Sequence, residues 1–214
     1  MLTQEDIHDA FTELAGMASR EGKVIEIAVY GGSALLLASN FRIATQDVDA
    51  VAVADQTLIN RFATEIAATR GWPADWLNDG VRTYLSPNVD GLAQHHELFR
   101  SYPDDASPGL RVFVPAPGYL LAMKLMAMRI DTTTGQKDLP DILNLIDVVG
   151  VTQKNELMTF AQSFYPEARV SPQVILGIEA LWRERAGRQK PSVQQPQDPD
   201  EPPRYLGRSG STPQ

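Results

Sequence analysis

The chain has 214 residues, 19 Lys+Arg against 27 Asp+Glu, three His and no Cys, a length that suits one large or two small domains. Without cysteine, disulfide frameworks, thiolate zinc sites and cysteine nucleophiles are excluded, and a net charge of −8 argues against a protein built to coat nucleic acid or an anionic membrane. No apolar run approaches the roughly 18 to 20 residues of a membrane span, and residues 1–6 lack the basic-then-apolar order of a signal peptide, so a soluble cytoplasmic protein is expected.

Residues 3–20 place Ile7, Phe11, Leu14 and Met17 at helical spacing behind Thr3 and Asp6, a cap and a first-turn acid. The period then changes. Residues 24–30 are rich in β-branched side chains and end at Gly31-Gly32, after which Ser33 opens the apolar segment 34–38, the pattern of strand, tight turn and helix. Residues 47–53 read as a neighbouring strand, and Asp55 caps a helix with Leu58, Ile59, Phe62 and Ile66 on one face. Residues 71–86 and 110–114 are expected to add strands. Trp72 and Trp76 should close a small hydrophobic cluster, and no element is assigned to 87–108. From Gly118 the pattern is helical over 119–130, 139–149, 152–165 and 172–185, the last with Ser171-Pro172 as cap and first helical position. Residues 188–214 hold six of the fifteen prolines and few apolar side chains; such a tail cannot offset its ordering entropy and is expected to be disordered. The reading is α/β (α+β): a small mixed sheet in an N-terminal half (1–115), a helical half (116–187) and a Pro-rich tail (188–214).

Three features stand together: the strand into Gly31-Gly32-Ser33, a gap of thirteen residues, and Asp47-Val48-Asp49. Glycines let backbone N–H groups approach an anion, and a serine at a helix start adds a hydroxyl where the helix dipole favours negative charge. On an extended strand, Asp47 and Asp49 face one side about 6 to 7 Å apart, with Val48 facing the core. Such carboxylates repel by roughly 2.5 kcal/mol at an effective dielectric near 20. A cation removes that penalty, and carboxylate oxygens beside phosphates suit Mg²⁺ (or Mn²⁺).

This combination resembles the nucleotidyltransferase superfamily with the polymerase-β-type fold. Residues 42–49, the segment Leu121-Ala122-Met123-Lys124-Leu125-Met126-Ala127-Met128-Arg129 and Lys137-Asp138-Leu139-Pro140-Asp141 look like the abortive-infection (AbiEii-like) nucleotidyltransferase toxin group of bacterial toxin–antitoxin systems. The resemblance implies transfer of a nucleoside monophosphate from an NTP to an RNA or protein hydroxyl, with tRNA or a protein as acceptor and a cognate antitoxin as partner. It further implies that Gly31, Gly32 and Ser33 hold the triphosphate, Asp47 and Asp49 the metal, and that Lys124 and Asp138 complete the catalytic set. Arg42 is expected either to stabilise phosphate charge or to brace the turn before the strand.

One departure stands out. The superfamily usually carries a third carboxylate on a neighbouring strand, whereas Leu110-Arg111-Val112-Phe113-Val114 has none. Asp90, Glu97 and Asp138 are the substitutes, and a catalytically degenerate nucleotide- or partner-binding module is the alternative function. Lys124 is either buried at the site or snorkels from an apolar helix. Lys137, Asp138 and Asp141 also read as ordinary charges at a helix start. His95-His96 diverge too far to share a metal.

Overall fold

Local signals set the order of elements, and the computed structural model describes residues 1–39, 41–128 and 138–189. Helix α1 (Gln4–Arg20) starts at a reciprocal cap: the Thr3 hydroxyl accepts from the Asp6 amide while the Asp6 carboxylate accepts from the Thr3 amide at 2.8 Å. Then follow β1 (Ile25–Val29), α2 (Gly31–Ala38), β2 (Val48–Ala52) and α3 (Gln56–Arg70). Asp55 caps α3 through the Leu58 amide, and Gly71, at φ +66, ends it in a left-handed turn. The remainder is β3 (Leu77–Asn78), a 3₁₀ turn (Gly80–Tyr84), β4 (His96–Tyr102), β5 (Leu110–Pro115), α4 (Pro117–Ala127), α5 (Leu139–Val149), α6 (Lys154–Phe164), a 3₁₀ turn (Glu167–Arg169) and α7 (Pro172–Gln189).

The strands form one mixed sheet in the order β3-β2-β1-β5-β4. β1 is antiparallel to β2 and parallel to β5; β2 is parallel to β3, and β4 antiparallel to β5. The fold is therefore α+β. Strand alternation divides the core between the two faces. Ile25, Ile27, Val29, Val48 and Ala50 pack with the apolar sides of α1 and α3. Ala28, Tyr30 and Val51 meet Tyr119, Met123, Phe164 and Tyr165 from the helical half. The larger cluster also takes in Ile142, Leu157 and Ile178, so the helical half packs directly on the sheet half. Trp76, 1% exposed, donates its indole N–H to the Ala63 carbonyl at 2.9 Å and meets Trp72 edge-on, the cluster expected from sequence. Among the described residues no helix is long and apolar enough to cross a membrane.

Several expectations are corrected. Residues 71–86 supply only the two-residue β3, because the Asn78 side chain accepts from the Gly80 amide at 2.9 Å and turns the chain out of the ladder. Residues 87–108, to which no element was assigned, supply the edge strand β4; a register shift between Leu98 and Arg100 breaks the two-residue period that would have revealed it. Arg188 and Gln189, expected in the tail, belong to α7, with Arg188 bonded to Glu184 one turn back. Positions 190–214 of that tail lie outside the described residues, as do Arg129, Ile130 and Lys137.

Candidate functional site

The site forms where β1 runs into α2. The Tyr30 amide donates to the Asp49 carbonyl at 2.8 Å, which holds β2 against the start of the helix. Gly31 then takes φ +62, and a Cβ there would lie 2.5 Å from Asp49 Oδ2. Only glycine combines that backbone with so close a carboxylate. On β2, Val48 and Ala50 are buried in the core, while Asp49 between them and Asp47 just before the strand line a common cavity of about 570 Å³. That cavity is also lined by Gly32, Arg42, Thr45, Asp138 and Asp141. A second, of about 310 Å³, adjoins it at Gly32, Asp49 and Asp138. Gly31 and Lys124 line its polar side, and Val81, Tyr84, Leu120 and Met123 its apolar wall.

Burial pushes the Asp49 carboxyl up to about 6; Asp47 and Asp138 push in the same direction and Lys124 opposes them. Asp49 is thus within electrostatic reach of both other acids and of the ammonium. Asn78, opposite Asp49 in the β2–β3 register, donates to Asp47 Oδ2 at 3.2 Å and orients that carboxylate.

Asp141 organises the cationic side. It is 3% exposed and accepts from Arg42 through Nε at 3.0 Å and Nη2 at 2.6 Å, and it pairs with Lys124 Nζ at 2.9 Å. Lys124 also donates to Asp138 Oδ1 at 2.9 Å, and Arg42 lies 3.8 Å from the same oxygen. The bonds it donates to Asp141 hold the Arg42 guanidinium above its ordinary pKa. Such a buried, fully hydrogen-bonded network fixes geometry more than it adds stability. Asp138 occupies the N-cap of α5 with its side chain half exposed, so it alone of the pair reaches solvent in the cleft.

The structure therefore brings Gly31, Gly32, Arg42, Asp47, Asp49, Lys124 and Asp138 together around one cleft. Ser33 is not among them. It is 1% exposed, and its hydroxyl donates to the Tyr30 carbonyl at 2.8 Å, so any contribution from this residue is its backbone N–H. The apolar run that follows places the serine on the buried side of α2. Arg42 bonds to Asp141 on α5 while lining the cavity, and Thr45 braces the turn before the strand, donating to the Asp47 carbonyl at 3.1 Å. Lys124 is buried at the site rather than snorkelling.

For the third acid, β5 offers only Arg111, bonded to Glu26 at 3.1 Å. Glu97, on β4, stands three strand positions from β2, about 14 Å across the sheet. Asp90 is exposed in a loop and lines neither cavity. Asp138 is the remaining carboxylate. His96 serves elsewhere: its Nδ1–H donates to the Gln94 carbonyl, which leaves Nε2 to accept from the Tyr30 hydroxyl at 2.9 Å.

Sequence reasoning missed the central place of Asp141, the orienting role of Asn78 and the apolar wall at Val81 and Tyr84. Only the spacing of Asp138 and Asp141 on the first turn of α5 hinted at the first. Comparison with protein-family models, curated proteins and solved structures finds no match to this chain.

Proposed function

We propose that the cleft binds a nucleoside triphosphate with Mg²⁺ (or Mn²⁺) and transfers its nucleoside monophosphate to a hydroxyl acceptor. The observation that carries this reading is the pair Asp47 and Asp49, one just before β2 and one within it, both lining one cavity beside the start of α2. The resemblance of residues 42–49, 121–129 and 137–141 to nucleotidyltransferases, and within them to the toxin group of toxin–antitoxin systems, supports the same assignment.

The donor set fits a magnesium ion. Asp49 is desolvated and repelled by Asp47, so ionising both is favoured once a cation sits between them. Among the described residues no group of three or more His, Asp or Glu is placed to hold an ion alone, and Mg²⁺ commonly takes one or two carboxylates with phosphate oxygens and waters. When bound there, it would neutralise the phosphates and polarise the phosphorus under attack.

The first three N–H groups of α2, from Gly31 to Ser33, have no intrahelical acceptor and no side-chain cap, which suits phosphate oxygens. Lys124, held by Asp138 and Asp141, places a positive charge beside the same phosphates. The acceptor oxygen attacks the α-phosphorus as the α–β phosphoanhydride bond breaks and pyrophosphate leaves. Asp138, half exposed in the cleft, accepts the hydroxyl proton. The apolar wall at Val81, Tyr84, Leu120 and Met123 receives the base.

A second reading, a binding module without turnover, is favoured by one feature: the strand that usually supplies a third carboxylate carries Arg111 instead. Incubation with each α-labelled NTP, Mg²⁺ and a cell extract separates the readings. Covalent label that disappears in Asp47→Asn/Asp49→Asn supports the enzyme. Calorimetric binding of Mg²⁺–NTP without transfer assigns the module, and label that survives the double substitution removes the carboxylates from both.

A further inference from the structure

We infer that the acceptor is a polypeptide segment with basic residues beside its hydroxyl rather than an RNA. The inference rests on the nucleotidyl-transfer reading above. Among the described residues four carboxylates line the two joined cavities, Asp47, Asp49, Asp138 and Asp141, against two cations, Arg42 and Lys124. Both cations are already engaged: Arg42 with Asp141, Lys124 with Asp138 and Asp141. With Lys124 facing the triphosphate in that reading, the described lining holds no cation beyond Arg42 for a polynucleotide backbone. The whole chain stands at −8. A polynucleotide is held mainly by cations that replace its counterions. A bound triphosphate makes the cleft still more negative, so a phosphodiester backbone would approach against the field, whereas Lys or Arg on a peptide would be drawn in.

The rim of the same cleft supports a peptide by a different property. Ile43 is 92% exposed, Met1 81% and Phe41 36%, three of the nine large exposed apolar side chains of the described residues. Met1 and Phe41 line the cavity that holds both aspartates. Ile43 follows Arg42 in the chain, and the Leu2–Thr45 backbone bridge holds the N-terminus against this segment. Exposed apolar side chains beside a charged site suit the side chains of a polypeptide better than a phosphodiester backbone. An apolar edge over an acidic floor complements a segment in which a Ser, Thr or Tyr hydroxyl lies between an apolar residue and a basic one. Transfer there forms a phosphodiester between the side-chain oxygen and the α-phosphorus, breaks the α–β phosphoanhydride bond, releases pyrophosphate and passes the hydroxyl proton to Asp138.

The test uses the full chain with Mg²⁺ and each α-labelled NTP, offered protein-free total RNA, a peptide library with Lys or Arg flanking Ser, Thr or Tyr, and its twin with Asp or Glu. Fluorescence anisotropy of a basic library member is measured in parallel. The expected result is label on basic peptides at least tenfold above the acidic twin and above RNA. Ile43→Ser should lower peptide transfer about tenfold through KM with little change in kcat, and weaken peptide anisotropy while leaving Mg²⁺–NTP binding intact. Label on RNA alone, equal label on both libraries, or an unaffected Ile43→Ser variant overturns the inference while nucleotidyl transfer stands. Nucleotide binding with no transfer to any acceptor overturns the inference and leaves the binding module. Absence of nucleotide binding overturns the underlying reading itself, and the inference with it.

Discussion

Replacing Asp49 by Asn removes one negative charge from the cleft and keeps the side-chain shape. The Asp49 carboxyl sits at about 6 against 3.8 for the free group, raised first by burial and then by Asp47. A displacement of about two pH units corresponds to about 3 kcal/mol opposing the folded state once the group is ionised, an upper bound because neighbours relax in the variant. Its pH dependence has a definite sign. The folded chain holds this proton more tightly than the unfolded chain, so the penalty shrinks as pH falls through 3.8 and vanishes well below it, where the group is neutral in both states. It builds as pH rises through the window between the two values and is complete above about pH 7. The side-chain amide introduced by the substitution can donate to Asp47, so no new unsatisfied donor is created. Asp49→Asn should therefore be about 1–3 kcal/mol more stable than the parent at pH 8 in EDTA, a difference that vanishes well below pH 3.8. Urea unfolding at pH 3.5, 6 and 8 measures this. Millimolar Mg²⁺ should stabilise the parent at pH 8 and leave the variant unchanged. A variant no more stable than the parent at pH 8 would refute the view that the carboxylates are held together against their repulsion.

Gly31→Ala should destabilise by about 1–2 kcal/mol through its left-handed backbone alone, and its Cβ would displace Asp49 Oδ2; loss of the Mg²⁺-induced stabilisation in thermal unfolding checks the second effect. Asp141→Ala leaves Arg42 and Lys124 without their shared buried carboxylate and should lower stability by about 3–5 kcal/mol; a loss under 1 kcal/mol in urea titration would count against the network. Tyr165→Phe removes the hydroxyl that donates to the Tyr84 carbonyl at 2.6 Å. The expected loss is about 1 kcal/mol, with faster amide exchange confined to residues 80–85, and unchanged exchange there would separate that bond from the cleft wall.

The two aspartates were legible because strand alternation is a local rule: Val48 must enter the core, so its neighbours must leave it. Gly31 was legible for the same reason, since a left-handed turn between strand and helix has few other solutions. Ser33 misled because its place at a helix start suggested exposure, while the leucines that follow turn that side of α2 inward, where its hydroxyl bonds to the Tyr30 carbonyl. Asp141 could not be weighed from sequence. Its partner Arg42 lies 99 residues away, and a first-turn acid on α5 reads as an ordinary dipole contact until the sheet half is packed against it. Strand β4 was hidden by its own irregularity, and Tyr84 by lying in a 3₁₀ turn without a readable period.

A crystal structure of the full chain with Mg²⁺ and a non-hydrolysable NTP analogue bears most directly on the central claim. The account predicts an ion about 2.1 Å from oxygens of both Asp47 and Asp49, with the triphosphate at the amides of residues 31–33 and the base against Tyr84. A nucleotide bound elsewhere, or an ion that touches neither aspartate, would contradict it.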